Sequence, residues 1–222
     1  MHVAATCDII VVVTIKYVSS GVNLYLVSTK KTKRGRPRSF DTAKATHVAM
    51  HLFGKKGYEG VGIAELSDAM GVNPPSLYSA FGSKRELFER AAMLYAKEEG
   101  RFVREALSHE SDPIGAVEKL LTTACQVYVN GHISLGCMVT EAARTCSDDA
   151  LKKFLRELRL ETRKAIRERL SPFPHEKAEA LSDYVVFLLA GLSSQARDGE
   201  SLEALLSAAA IGYRGFVDFL KN

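Results

Sequence analysis

Two stretches carry side chains whose types and spacing suit contact with a polyanion. The first, KKTKRGRPRSF over residues 30–40, holds six Lys or Arg and no acid. Arg34 and Arg36 flank a glycine, and Pro37 holds the backbone extended, so two guanidinium groups can enter a narrow, electronegative groove. The second, NPPSLYSAF over residues 73–81, puts Asn73 at a helix cap and Pro74 at the first helical position, where a missing N–H costs nothing. A helix start aims N–H groups and a partial positive charge at phosphate. Asn73, Pro74, Pro75 and Ser76 are small or rigid, so the backbone there can approach closely. Tyr78 and Ser79 face away from the inward pair Leu77 and Phe81, and the Tyr78 hydroxyl suits a phosphate oxygen. The plainer readings are a solvated tail and an ordinary helical hairpin.

Other reactive side chains point to less. The four cysteines, Cys7, Cys125, Cys137 and Cys146, show no C-x-x-C spacing and no paired histidine. That argues against a zinc site and a disulfide framework and for reduced thiols in a cytoplasmic protein. Cys137 follows Gly136 at an expected helix start, a place that lowers a thiol pKa. The plainer reading is a small buried hydrophobe, with His132 either assisting a thiolate or capping a turn. His47 and His51 stand four apart, at metal-ligand spacing, but no acid or cysteine accompanies them, and surface histidines are expected. No nucleophile–base pair, glycine-rich phosphate loop or carboxylate dyad supports an enzyme, and neither metal nor cofactor is called for. The formal net charge is +4, and the basic stretch alone supplies +6, so the remainder is slightly acidic. A near-neutral body with one basic patch meets its polyanion at one place.

The elements that position these residues are helices. Asp41 caps a first helix to about Lys56, with Ala45, Val48, Ala49, Leu52 and Phe53 along one face. Short helices follow over Ile63–Met70 and Pro74–Phe81, joined by GVN. Ser83 and Glu86 form a capping box that opens a long helix to about Leu107. Further helices are expected over Asp112 to Tyr128, Gly136 to Arg144, Ser147 to Leu170, His175 to Arg197 and Ser201 to Leu220. The fold class is all-α, with no internal repeat. Residues 1–29 are β-branched and apolar and read as a hairpin-like, atypical leader. It is interrupted by Lys16, too short for a bilayer span and without a secretory cleavage site. A native start near Val27 is preferred over a separate appendage.

Two short helices joined at a glycine, the second presenting its N-terminal end, form a helix-turn-helix pattern. With its neighbours, FDTAKATHVAMHLFGKKGYEGVGIAELSDAMGVNPPSLYSAFGSKRELFERA over residues 40 to about 92 resembles the N-terminal domain of TetR-family transcriptional regulators. The resemblance rests on the LF..KGYE end of the first helix and the G....SLY..F.SK..L segment. It implies an N-terminal three-helix DNA-binding domain over 40–92, preceded by a basic arm over 30–39, and a C-terminal helical effector-binding and dimerisation domain over 93–222. Ser76 and Tyr78 match positions that touch bases and phosphate, and Lys84 matches the lysine that grips the backbone as the fourth helix opens. Pro74 and Pro75 suit apolar contact with a thymine methyl. Gly62 departs from the usual Thr or Ser, which removes one phosphate contact, although its bare N–H can still face phosphate.

Two half-sites roughly 34–36 Å apart require a dimer. The last two helices carry the stripe Tyr184, Leu188, Leu192 and Gln195 and the stripe Leu206, Ala209, Tyr213 and Phe216; the resemblance favours a two-fold four-helix interface there. It also implies an effector pocket among the middle helices, with Phe102, Cys125, Gln126, Tyr128, Val129, Cys137, Met138 and Glu141 as candidates, and some family members sense electrophiles through a cysteine. The expected function is a bacterial, cytoplasmic, homodimeric repressor released from palindromic double-stranded operator DNA by a small molecule. The alternatives are thiol sensing through Cys137 and a non-switching DNA binder.

Overall fold

The computed structural model describes residues 41–109, 112–131, 133 and 135–221; the leader and the basic arm lie outside them. Among the described residues the chain forms ten α-helices and no strand. Helix α1 spans Thr42–Lys56, α2 Ile63–Met70, α3 Pro74–Phe81, α4 Lys84–Glu98 and α5 Arg101–His109. Then follow α6 over Pro113–Asn130, α7 over Met138–Thr145, α8 over Asp149–Arg169, α9 over His175–Arg197 and α10 over Leu202–Lys221.

The caps set most of these starts. Asp41 Oδ1 accepts from the Ala43 N–H at 2.8 Å, Asn73 Oδ1 from the Ser76 N–H at 2.9 Å, and Ser83 Oγ from the Glu86 N–H at 3.1 Å. Each such bond replaces water on an orphan helix donor and contributes about 1 kcal/mol. Between α2 and α3 the chain reverses at Gly71, whose φ of +66° is the left-handed conformation that glycine adopts freely.

One expected helix is two. The stretch from Lys84 to Leu107 breaks after Glu98, where the Glu99 and Gly100 N–H groups both donate to the Tyr95 carbonyl, at 2.9 and 3.0 Å. Two donors on one carbonyl end the regular ladder, and Gly100 has little helix propensity to resist the break. The break lets α5 turn its Phe102, Ala106 and Leu107 face toward α6, where the Phe102 and Tyr128 rings meet edge to face at 6.1 Å. Helix α7 begins at Met138 rather than Gly136, because Gly136 sits at φ +71° and Cys137 becomes the cap.

Two apolar cores result. The first joins α1–α4 around Phe53, Tyr58 and Phe88, with Phe53 5.0 Å and Tyr58 5.2 Å from the Phe88 ring, both edge to face. It does not stop at residue 92. Tyr95, Ile133, Met138, Val139 and Ala142, and Leu151 and Leu155 of α8, belong to it. The second core packs α5, α6, the end of α8, α9 and α10 around Leu120, Leu121, Val185 and Phe216. Helix α7 and the loop before it are therefore part of what supports the helix-turn-helix.

Gly136 is where that loop meets α9. A Cβ there would lie 2.5 Å from the Ser193 carbonyl oxygen, whereas at Gly71 nothing lies within 4 Å. Gly71→Ala is expected to cost only the left-handed penalty, about 1 kcal/mol or roughly 2–4 °C in melting temperature. Gly136→Ala adds the clash and should lower the melting temperature at least twice as far; equal losses in thermal unfolding would show that the loop yields instead.

Candidate nucleic-acid interface and the cavity behind it

The recognition end of α3 is open to solvent. Asn73, Pro74, Pro75, Tyr78 and Ser79 are exposed and Ser76 is half-buried, while Leu77 and Phe81 are sealed in the first core. Burying Leu77 and Phe81 contributes roughly 1.5–3 kcal/mol each and fixes which face of α3 is presented. Gly62, the α2 cap, is exposed and makes no side-chain cap bond. Arg34 and Arg36 lie outside the described residues.

Lys84 is held by a partner that the sequence reading missed. Its Nζ stands 4.4 Å from the centroid of the Tyr58 ring. Tyr58 is fixed in turn by Phe53 and Phe88, so the cation is aimed by an aromatic stack. Burial, then the nearby Asp148 carboxylate, raise the Tyr58 hydroxyl above the ordinary tyrosine pKa. Around this stack the loop after α1 is tied to α8: the Ser147 N–H and Oγ donate to Glu59 Oε1 at 2.9 and 2.6 Å, which lowers the Glu59 carboxyl pKa. Arg85 lies 3.8 Å from Asp148, the α8 cap. The KGYE motif thus anchors the DNA-binding helices to the rest of the chain.

A cavity of about 390 Å³ lies among α4, α5, α6, α7, α8 and α9, at the small end of the range for small-molecule sites. Of the eight expected residues, Phe102, Tyr128 and Cys137 line it. Cys125 is sealed in the second core, where burial pushes its thiol up to about 11. Gln126 is exposed, and Val129 packs half-buried against that core. Met138 and Glu141 line a smaller recess of about 180 Å³ against the end of α1. Tyr95, Leu158, Thr162, Val186 and Leu189 line the cavity and were missed. Leu158, Thr162, Val186 and Leu189 sit on α8 and α9, whose apolar positions read as packing, and convergence is invisible in one strand of sequence. Burial raises the Tyr95 and Tyr128 hydroxyls well above their ordinary value, so both stay neutral.

Helix α7 connects this cavity to α9 and α1. The Cys137 N–H donates to Ser193 Oγ at 2.8 Å, and that hydroxyl donates to Glu141 Oε1 at 2.8 Å. Arg144 Nη1 donates to Ser194 Oγ. Three residues on, Arg197 donates to the carbonyls of Gly54 at 2.9 Å, Lys55 at 3.2 Å and Leu135 at 3.5 Å.

The expected stripes on α9 and α10 mix two faces. Leu192, Ala209 and Phe216 are buried in this chain's own core. Tyr184 donates to the Gly212 carbonyl at 3.1 Å, and Leu188 packs on Gly212; Leu206 and Tyr213 are half-buried beside them. Gln195 is exposed. On α9 and α10 the large apolar residues left in solvent are Phe187, Ile211 and Phe219, at 72%, 60% and 50% exposure. The exposed small residues Gly191, Ala208 and Gly215 accompany them. The reason is packing: α9, α10 and α6 bury the longest stripe among themselves, which leaves the neighbouring face free.

Among the described residues no group of three or more His, Cys, Asp or Glu is placed to hold a metal, and His47 instead lies 3.6 Å from Glu98. No helix among them is long and apolar enough to cross a membrane.

An exposed recognition end, a glycine reversal and two core anchors define a helix-turn-helix DNA-binding protein. Residues 45–91 match the family model described as bacterial regulatory proteins, tetR family. The chain is 33% identical over 186 residues to the HTH-type transcriptional repressor BdcR of Escherichia coli K12, covering 82% of this chain and 93% of that protein. It is 30% identical over 208 residues to the repressor ComR of the same organism, covering 86% of this chain and 96% of that protein. A solved structure of the TetR-family regulator CifR, a cysteine mutant complexed with 26-bp operator DNA, superposes with a TM-score of 0.76 at 34% identity, covering 82% of this chain and all of that one. The chain belongs to the TetR family, whose members are DNA-binding transcriptional regulators and not enzymes.

The cysteines differ in access. Cys125 and Cys146 are buried, and burial raises both thiols, whereas Cys137 is half-buried at the cavity wall. In a Cys7→Ser background at mildly alkaline pH, an aromatic disulfide reagent is expected to modify one thiol first, a phase lost in Cys137→Ser. The other two should react at least roughly tenfold more slowly. A single common rate for all three would contradict this ordering.

Proposed function

We propose that the protein is a repressor that holds a palindromic operator as a homodimer and releases it when a small molecule occupies the 390 Å³ cavity. The observation that carries the reading is the placement of α7. Its cap residue lines the cavity, and its backbone and side chains bond to α9, whose Arg197 holds the end of α1. A ligand that favours a different seat for α7 would favour a different setting of α1 and of the recognition helix packed on the same core.

The dimer face in this reading is Phe187, Gly191 and Gln195 of α9 with Ala208, Ile211, Gly215 and Phe219 of α10. The glycines and alanine permit close helix approach, and the three aromatic and aliphatic side chains supply burial. On the DNA side, Lys84 and the Arg34–Arg36 arm neutralise phosphates or enter the minor groove, and Ser76, Tyr78, Ser79 and the Pro74–Pro75 step meet the major groove. With few long polar side chains on α3, shape and apolar contact carry a large share of specificity.

A second reading rests on one observation, the position of Cys137 at the cavity wall: modification of its thiol would unseat α7 in the same way. N-ethylmaleimide releasing operator equally from wild type and Cys137→Ser would eliminate it.

Operator anisotropy tests the main reading. Lys84→Ala should weaken binding and flatten the salt dependence by about one unit of slope per lost phosphate contact, and Arg34→Ala with Arg36→Ala should do the same. Phe187→Glu combined with Ile211→Glu should give a folded monomer by sedimentation and lose the operator. Full affinity in that folded variant, or equal affinity for operator and random DNA, would refute a dimeric, sequence-specific repressor.

A further inference from the structure

We infer that the cavity is built for an amphipathic organic anion, a medium-length hydrocarbon or aryl body ending in a carboxylate. This rests on the cavity being the effector site and goes one step further, to the chemistry of what fills it.

The wall determines the body of the ligand. Leu158, Ala165, Val186 and Leu189 with the rings of Tyr95 and Phe102 make it predominantly apolar. At this volume the space suits a compact chain or a single ring system.

The polar groups determine the rest. Tyr128 is 5% exposed and presents its phenol to the cavity wall beside Tyr95. Two cations stand on the lining, Arg104 of α5 and Arg159 of α8. Arg104 is exposed and Arg159 half-buried, and neither guanidinium has an acidic group within 4.0 Å among the described residues. The nearby arginines Arg101 and Arg163 do have such partners, in Glu105 and in Glu179 and Asp183. The lining carries one acid, Glu161, which is also exposed. Two unpaired guanidiniums against one carboxylate leave the lining net positive. They come from two different helices, so one anion can bridge α5 and α8. Glu161 together with the three aromatic rings of the lining would instead suit an organic cation, and the test is arranged to separate the two.

The probes are octanoate, 1-octanol and octyltrimethylammonium, titrated calorimetrically into the full-length protein. Octanoate is expected to bind at least about tenfold more tightly than 1-octanol. Arg104→Gln with Arg159→Gln should weaken octanoate at least about tenfold and leave 1-octanol within roughly twofold, and Glu161→Gln should strengthen octanoate. Leu189→Trp, which fills the space, should abolish binding of every probe; Ala190→Phe provides the same block from a half-buried position. Octanoate no tighter than 1-octanol, tightest binding by the ammonium probe, no binding by any probe, or octanoate unaffected by the double arginine change would each overturn the anion assignment. Two outcomes separate this from the effector reading. If the filled variants block 1-octanol but no anion preference exists, only the charge assignment falls. If the filled variants bind all probes as before, binding is elsewhere and the cavity reading falls with it.

Discussion

A single guanidinium joins the first helix to the end of α9. Arg197, in the last turn of α9, donates to the Gly54 and Lys55 carbonyls in the last turn of α1 and to Leu135 in the loop before α7. These carbonyls are the negative end of the α1 macrodipole and lack intrahelical donors of their own, so the charge and the bonds act together. Charge-assisted bonds of this kind contribute about 1.5–3 kcal/mol each when well shielded, and less at a half-buried site such as this one. Their positional consequence is larger than their energy. Helix α1 packs on α2 and α4, between which α3 is held, and α9 contributes to the wall of the cavity.

The neighbouring contacts leave little slack. Gly136 lies against the Ser193 carbonyl, and a Cβ at Gly54 would meet Ile133 at 2.5 Å, so the loop before α7 is wedged between α9 and α1. Ser193 is fully buried and bonded on both sides, to the Cys137 N–H and to Glu141. On the far side, the Glu59–Ser147 bonds and the Lys84–Tyr58 stack join the start of α8 to the start of α4. In the proposed reading, filling the cavity displaces α7, and this closely packed seam converts that displacement into a changed setting of the recognition helices.

Much of this was legible in the sequence because much of it is local. Asp41, Asn73, Ser83, Asp112 and Asp148 each accept from N–H groups two or three residues on, and the sequence places such caps directly. The helix-turn-helix follows from one glycine and two core anchors. What was not legible depends on tertiary convergence. Arg197 reads as an ordinary basic residue in a last helical turn, and its partners on α1 lie more than 140 positions away. The stripes on α9 and α10 share residues between an internal and an external face, and spacing does not separate the two, so the interface expected from the resemblance took in Phe216 and Leu192, which are buried. The cavity wall draws on six helices, and the break at Gly100 that brings Phe102 to it hides inside one long apolar pattern.

The most direct test of the seam is operator affinity in Arg197→Met, measured by anisotropy beside circular dichroism and sedimentation on the same sample. If Arg197 holds α1 in its DNA-competent setting, the variant should remain helical and dimeric while binding the operator at least about tenfold more weakly, a loss of about 1.4 kcal/mol. Undiminished operator affinity in a folded, dimeric Arg197→Met protein would contradict the claim that this contact sets the DNA-binding helices.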